Sequence, residues 1–315
     1  MTVAGEVADL IRARYVFPDT GRRAAEALTT REAAGSYDGL GEAELAARLT
    51  DELFELCRDH HLRVLPREPG PAQEPPQDHE ASWQALQRRT NFGIERVARL
   101  AGNVGLLDLR LVADPPQAGT AIAAAMELVA RTHALILDLR HNRGGSPHGA
   151  AMWCSYLFPD GRTHLNDIYD GESGLTRQFW TWSWLPGERY LDRPVWVLTS
   201  EQTFSGAEEI AYNLKVLGRA TLVGATTRGG AHPTTVVPLS PTLELRLPAA
   251  RSINPVTGTN WEGTGVEPDV AVPADDALRV AHAAAARHVL AVAPNLSEAQ
   301  EAADVEGVAG SDGSA

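Results

Sequence analysis

The chain has 315 residues, of which 43% are hydrophobic and 22% charged, and its formal net charge at pH 7 is −13. This composition is typical of a globular protein with one large domain or two modest ones. An acidic chain without a basic cluster is a poor partner for nucleic acids or anionic membranes, so we expect neither as a ligand. Cys57 and Cys154 lie in apolar, helix-like stretches and are interpreted as buried thiols.

The N-terminus, "MTVAGEVADLIRARYVFPDTG", has no basic start followed by an apolar core, so it does not have the pattern of a signal peptide. No apolar run in the chain is long enough to cross a bilayer. These two patterns predict a cytoplasmic protein.

Residues 1–65 have the pattern of a helical bundle, because apolar residues recur at helical spacing in "EVADLIRARYV" and "GEAELAARLTDELFELCRDHH". Residues 66–81, "PREPGPAQEPPQDHEA", are rich in proline and polar residues. Proline breaks helices and central strands, so this stretch is interpreted as a linker.

Residues 82–295 alternate between strand and helix patterns, which predicts an α/β domain with a largely parallel sheet. The strand patterns are "NVGLLDLRLV", "ALILDLR", "VWVLT" and "ATLVG". A predicted hairpin, "TTVVPL" with "TLELRLP", and a predicted terminal helix, "DDALRVAHAAAARHVLAVA", follow. Residues 296–315 are small and acidic, and this composition predicts a disordered tail.

A glycine-rich loop follows the apolar strand "ALILDLR" in the stretch "DLRHNRGGSPHG". Gly144 and Gly145 allow the backbone to turn sharply and to approach a ligand closely, and backbone N–H groups in such a loop can stabilise an oxyanion. The alternative is an ordinary strand-to-helix turn, and the glycine pair alone does not decide between the two.

Ser205 follows the strand pattern "VWVLT" in "TSEQTFSGAEE", at the start of a predicted helix. A strand–turn–helix junction exposes this side chain beside backbone N–H groups without partners, including that of Gly206. Ser205 is therefore a candidate nucleophile, although an N-cap serine is the ordinary reading of the same position. A serine nucleophile also needs a base elsewhere in the chain.

Several separated motifs together resemble the S41 peptidase family, which includes tail-specific proteases, the tricorn core protease and the interphotoreceptor retinoid-binding protein modules. These motifs are "LILDLRHNRGG", "VLTSEQTFSGAEE", "VGATTRGGAHP" and "INPVTGTNWEGTGVEPDVAVP". The chain is most similar to the retinoid-binding-protein-like group and its bacterial relatives. The resemblance implies a ClpP/crotonase-like spiral of ββα units behind a small helical domain. It also implies serine-type peptidase activity without a cofactor.

The resemblance implies that Ser205 is the nucleophile. The tail-specific proteases activate their serine with a lysine, but the matching segment here, "TTRGGAHP", contains none. The tricorn type uses a histidine and a glutamate, which match His61 and Glu262. The implied relay has Glu262 orienting His61 and His61 taking the proton from Ser205. His232 is an alternative base.

The implied oxyanion donors are the N–H groups of Gly144, or Gly145, and Gly206. His61 also fits a helix end, where the macrodipole favours histidine, and Glu262 also fits a purely structural loop role. We expect no metal site, because the sequence shows no histidine or cysteine cluster at ligand spacing.

Three tryptophans, Trp180, Trp182 and Trp184, alternate in "FWTWSWLPGERY". If the segment is a strand, they share one face and could form a groove for a peptide or a small apolar substrate. The alternative is a strand that faces the core. Two rival functions stay open: a non-proteolytic protein that binds apolar ligands, and a small-molecule acyl-transfer or cyclisation enzyme. Homo-oligomers are common in this fold class, and the sequence leaves the oligomeric state open.

Overall fold

The computed structural model describes residues 2–67, 84–292 and 296–311. Helices with both ends inside these ranges are, in chain order, α1 (Val3–Arg14), α2 (Pro18–Ala33), α3 (Glu42–Cys57), α4 (Pro115–Val129), α5 (Pro147–Ser155), α6 (Gly206–Val216), α7 (Ala277–Val292) and α8 (Leu296–Ser311). The strands are β1 (Arg63–Pro66), β2 (Ile94–Leu100), β3 (Val104–Leu109), β4 (Ala134–Asp138), β5 (His164–Asp170), β6 (Thr176–Trp180), β7 (Val195–Thr199), β8 (Thr221–Gly224), β9 (Thr234–Pro238), β10 (Leu243–Pro248), β11 (Ala250–Ile253) and β12 (Val270–Ala271).

The chain forms two compact units, and both are discontinuous in sequence. The first unit contains Met1–Ala81, Asn166–Gln178 and Gly230–Gly263, and the second contains Ser82–Leu165, Phe179–Gly229 and Thr264–Ala315. The contiguous domain boundaries expected from sequence, at residues 1–65, 66–81, 82–295 and 296–315, stay predictions. The predicted linker lies, from residue 68 onward, outside the described residues.

The first unit packs helices α1, α2 and α3 against a small antiparallel sheet in the order β1-β10-β9. The helical pattern is confirmed, and Pro18 at the first turn of α2 has the fixed φ that suits a helix start. The predicted hairpin of β9 and β10 is also confirmed. Ile11, Leu28 and Leu49 share one buried cluster with Leu245, so the N-terminal helices do not form a core by themselves. Strand β11 pairs antiparallel with β5 in a separate three-stranded sheet that also contains β6.

The second unit is built on a six-stranded sheet in the order β12-β8-β7-β4-β3-β2. Only β2 runs antiparallel to its neighbour, and helices connect the parallel strands β3, β4, β7 and β8. The predicted α/β class, with a helical N-terminal region, is confirmed. The finer expectation of a spiral of ββα units stays a prediction.

Helix α8 occupies most of the segment that composition predicted to be disordered, so that expectation is wrong for Leu296–Ser311. Glu298 lies 3.0 Å from the ring Nε2 of His133, and Glu301 accepts a hydrogen bond from the N–H of Gly102 at 2.9 Å. These partners are about 165 to 200 residues away in sequence. Local composition cannot reveal contacts at this separation, although they support the helix.

Both cysteines are free thiols. Cys154 is buried, as predicted, whereas Cys57 is only half-buried. Within the described ranges, no helix is both long enough and apolar enough to cross a membrane. The predicted cytoplasmic location stays a prediction.

Strands β4 and β7 are adjacent and parallel, with Asp138 opposite Leu198. The carboxyl ends of parallel strands meet at one edge of a sheet, which is where open α/β folds place their ligand sites. The glycine-rich loop follows β4 and the Ser205 turn follows β7, so the fold brings these two segments together.

Candidate active site

Ser205 occupies a sharp turn between β7 and α6, with φ 55° and ψ −123°. A positive φ is uncommon for a residue other than glycine and is retained only where the surroundings enforce it. The neighbouring backbone is close: a Cβ at Gly144 would lie 2.7 Å from the Cβ of Ser205. Only glycine fits at that position, so the glycine-rich loop is shaped to approach Ser205.

Glu208 is a fully buried carboxylate that fixes this turn. Its Oε2 accepts a hydrogen bond from the N–H of Ser205 at 2.7 Å. Its Oε1 accepts from the N–H of Gly229 at 2.6 Å and from the hydroxyl of Thr227 at 2.5 Å. Sequence reasoning did not single out Glu208 as a site residue. In the structure it joins the Ser205 turn to the loop at residues 227–229.

The glycine-rich loop and the start of α6 present two backbone N–H groups with no acceptor among the described residues, those of Gly145 and Gly206. A Cβ at Gly206 would lie 3.1 Å from the nitrogen of Gly145, so the two amides are neighbours. The N–H of Gly144 instead donates to Oδ1 of Asn142 at 2.9 Å. Of the two loop residues that sequence left open, Gly145 has the available donor.

Four titratable side chains of the first unit lie near one another: Asp59, His61, His232 and Glu262. Nδ1 of His61 lies 3.9 Å from Oε2 of Glu262, which is longer than a hydrogen bond. Nδ1 of His232 lies 3.4 Å from the same oxygen. Both histidines that the sequence nominated as a base therefore face Glu262.

The Glu262 carboxylate is held by backbone donors from two separate segments. Its Oε1 accepts from the N–H of His60 at 3.0 Å, and its Oε2 accepts from the N–H of Ala231 at 2.5 Å. The preceding residue, Trp261, is buried and donates its indole N–H to the carbonyl of Gly230 at 2.8 Å. Glu262 therefore ties the residues that follow α3 to the segment before β9.

Asp59 is a buried carboxylate that sequence reasoning missed as a site residue. Its Oδ2 lies 2.7 Å from Nδ1 of His232 and accepts the hydroxyl of Tyr15 at 2.9 Å, while Oδ1 accepts the N–H of His61 at 2.9 Å. Burial raises the pKa of Asp59, but the hydrogen bond and charge of His232, with the N–H of His61, outweigh it and hold the pKa below its ordinary value. Burial and the Asp59 charge raise the pKa of Tyr15.

Asp59 had a sequence signal, because it stands two residues before His61 in "DHHLRV". Tyr15 had none, because it follows α1 in a stretch without any motif.

Asp59, His232 and Glu262 each offer one atom suited to a metal ion, and these atoms lie within 4.8 Å of one another. Two ligands of a tetrahedral zinc ion are about 3.3 Å apart, given metal–ligand distances near 2.0 Å. The 2.7 Å between His232 and Asp59 is shorter and matches a hydrogen bond. The arrangement is therefore that of a proton-sharing cluster.

The three tryptophans do not lie on one strand face, because β6 ends at Trp180. Trp180 stacks on His164, with ring centroids 4.2 Å apart and planes at 6°. Trp182 and Trp184 instead line a groove of about 520 Å³ with Pro115 and Met152. Trp184 is 75% exposed, so the groove has an aromatic wall that is open to solvent.

Residues 103–272 match the model of Peptidase family S41, and residues 1–92 match the N-terminal domain of Peptidase_S41 in eukaryotic IRBP. The first match covers more than half of the chain, so the protein belongs to peptidase family S41. A carboxy-terminal-processing protease of Bartonella bacilliformis is 28% identical over 143 residues, which are 44% of this chain and 30% of that protein. The matched region is thus less than a third of the curated relative's length.

Solved structures of similar fold include the photosystem II D1 C-terminal processing protease, at 15% identity and a TM-score of 0.51, with 87% of this chain and 93% of that chain covered. A lipoprotein from Streptococcus agalactiae is 15% identical, with a TM-score of 0.54 and 89% and 93% covered. The tricorn protease is 14% identical, with a TM-score of 0.52 and 87% and 34% covered. At these identities the likeness shows the shared fold alone.

Proposed function

We propose that the protein is a serine-type peptidase in which Ser205 attacks the carbonyl carbon of a peptide bond. Membership of peptidase family S41 supports the peptidase class. The observation that carries the serine assignment is the strained turn at Ser205, with the N–H groups of Gly145 and Gly206 beside it. Two neighbouring amides beside a nucleophile can stabilise the oxyanion of an acyl-transfer intermediate when both N–H groups point at it.

In the proposed mechanism His61 is the general base and Glu262 orients it. His61 takes the proton from the Ser205 hydroxyl as the serine oxygen bonds to the substrate carbonyl. It then gives that proton to the leaving amine, and water hydrolyses the acyl-enzyme by the same route. The 3.9 Å between His61 and Glu262 does not exclude this role, since catalytic hydrogen bonds are often long in unliganded enzymes.

The groove beside Trp182 and Trp184 is proposed to hold an apolar side chain of the substrate. It lies in the same compact unit as Ser205 and is lined by proline, methionine and tryptophan side chains. Such a surface favours large apolar or aromatic groups over charged ones.

The same groove supports a second candidate function, binding of an apolar ligand without hydrolysis. The two functions differ in whether Ser205 reacts. A small-molecule acyl transfer would use the same serine, so the products rather than the nucleophile would distinguish it from a peptidase.

The proposed function is tested by incubating the wild-type protein with a mixture of unstructured peptides and identifying new termini by mass spectrometry. We expect cleavage by the wild type, with loss of cleavage in Ser205→Ala and His61→Ala. Ser36→Ala, at an exposed turn position of the first unit, is the matched control and should cleave normally. Absence of cleavage by folded wild-type protein, together with an apolar ligand released on extraction, would replace the peptidase by the binding function.

A further inference from the structure

We infer that His232 is a positioning residue of the relay: paired with Asp59, it holds the carboxylate of Glu262 where Glu262 can orient His61. This inference rests on the proposed function, because it assigns a task within the same site. His232 and Asp59 form a histidine–aspartate pair beside the proposed His61–Glu262 pair. His232 also faces the carboxylate of Glu262.

The contacts make His232 the link between two buried carboxylates. Its Nδ1 lies 2.7 Å from Oδ2 of Asp59 and 3.4 Å from Oε2 of Glu262. The hydrogen bond to Asp59 places the proton on Nδ1 and fixes the orientation of the ring. The other Asp59 oxygen accepts the N–H of His61, so the Asp59–His232 pair also fixes the backbone of the proposed base.

The charges of the Asp59 and Glu262 carboxylates explain why the position of His232 between them matters. Asp59 is 1% exposed, and one side-chain nitrogen or oxygen atom from each of Asp59, His232 and Glu262 lies within 4.8 Å of the other two. Two carboxylates this close repel each other in a poorly solvated site unless a proton or a cation lies between them. The Nδ1–H of His232 supplies that proton. Without it, we expect Glu262 to turn away from Asp59 or to become protonated, and either change removes its support of His61.

The surroundings of His232 suit a positioning residue better than a general base. Its ring packs edge-on against Phe17, with centroids 5.2 Å apart, and its side chain is 4% exposed. The side chain of His61 is 11% exposed. A general base must reach the substrate proton, whereas a positioning residue need only stay in place.

The test compares His232→Leu, which removes the donor, with His232→Asn, whose amide nitrogen can donate from nearly the same position as Nδ1. We expect His232→Leu to lower kcat for peptide cleavage by about 10- to 100-fold with little change in KM, because a small misplacement of a catalytic group can cost about 10²-fold in rate. His232→Asn should recover most of the loss. His133→Leu, which breaks the histidine–carboxylate contact with Glu298 in the second unit, is the matched control and should keep the wild-type kcat.

Wild-type kcat in His232→Leu would overturn the inference. Equal inactivity of the asparagine and leucine variants would also overturn it, and would identify His232 as the base. Full activity in His61→Ala or Ser205→Ala would instead contradict the proposed function, so the two failures are distinguishable.

A second measurement needs no activity and no stable His232→Leu variant. In wild-type protein labelled with ¹⁵N-histidine, we expect a low-field, slowly exchanging Nδ1–H signal, assigned to His232 by its loss in His232→Asn. Absence of this signal in the wild type would contradict the Asp59–His232 hydrogen bond on which the inference depends.

Discussion

The carboxylate of Glu208 accepts a hydrogen bond from the backbone N–H of Ser205 at 2.7 Å, which is the reciprocal bond of a capping box at the start of α6. The side chain of an N-cap serine ordinarily accepts a hydrogen bond from a backbone N–H in the first turn of its helix. Here the buried Glu208, in the first turn of α6, also fixes the backbone of the serine. Because Glu208 also binds Gly229 and Thr227, one side chain determines the geometry of the turn that presents the proposed nucleophile.

We predict that Glu208→Gln lowers kcat about tenfold or more while the protein stays folded, because an amide oxygen accepts fewer and weaker hydrogen bonds than a carboxylate. Steady-state peptide cleavage checks this prediction. The control is Glu44→Gln, which changes the equivalent position of an exposed capping box on α3. Wild-type kcat in Glu208→Gln would show that the turn holds its shape without this carboxylate.

We predict that Gly206→Ala lowers kcat by about 10²- to 10³-fold, the usual effect of losing one oxyanion donor. The added Cβ would lie 2.9 Å from the carbonyl oxygen of Gly145 and would separate the two amides. Gly41→Ala adds the same atom where its nearest neighbour is 3.8 Å away, and serves as the control. If Gly206→Ala cleaves peptides at the wild-type rate, the two amides do not form the oxyanion site.

We predict that Trp182→Ala raises KM for peptides with a large apolar residue next to the cleaved bond and leaves small-residue peptides nearly unchanged. The reason is the loss of apolar contact area in the groove, which Trp182 shares with Met152. Trp180→Ala is the control, because Trp180 stacks on His164 and does not line the groove. Equal effects of the two substitutions on all peptides would remove the groove from the substrate site.

We predict that exhaustive treatment with a chelator leaves peptide cleavage unchanged. The reason is the 2.7 Å between His232 and Asp59, which indicates a shared proton rather than a shared metal ion. Cleavage that disappears with the chelator and returns with a divalent cation would reassign Asp59, His232 and Glu262 as ligands.

We predict that Asp59 makes the fold sensitive to acid. Its pKa is lower in the folded protein than in the unfolded chain, so its stabilising effect is complete above the unfolded value of about 3.9 and is lost as the pH falls through the lower folded value. Denaturant unfolding between about pH 2 and 6 should therefore show a shallower pH dependence for Asp59→Asn than for the wild type. If the free energy of unfolding depends on pH in the same way in the two proteins, Asp59 does not contribute to the acid sensitivity of the fold.

The sequence predicted the architecture well where patterns are local. The strand ending at Thr199 and the helix beginning at Gly206 follow from an apolar run and a capping serine. The contacts that organise the site are not local: Asp59 meets His232 across 173 residues, and Glu262 meets His60 across 202. No periodicity signals such pairs. The family resemblance could nominate single residues, but it could not show that Asn142 occupies the N–H of Gly144 and leaves that of Gly145 available.

The error at the tryptophans has a similar origin. A shared face for the tryptophans of "FWTWSW" required the whole segment to be a strand, but β6 ends at Trp180 and the following N–H groups bond elsewhere. That of Thr181 donates to the carbonyl of Thr163, and that of Trp182 donates to the hydroxyl of Ser155. Strand β6 therefore ends where its backbone N–H groups bond to residues outside the β-sheet pairing, which sequence alternation does not reveal.

Reaction of the protein with a fluorophosphonate, followed by intact mass and by peptide mapping of the modified residue, tests directly whether Ser205 is the nucleophile. We predict one adduct on Ser205 in the wild type and in Ser36→Ala, none in Ser205→Ala, and strongly slowed labelling in His61→Ala. An unmodified wild-type protein that is folded, or an adduct on a different serine, would contradict the assignment of Ser205 as the nucleophile.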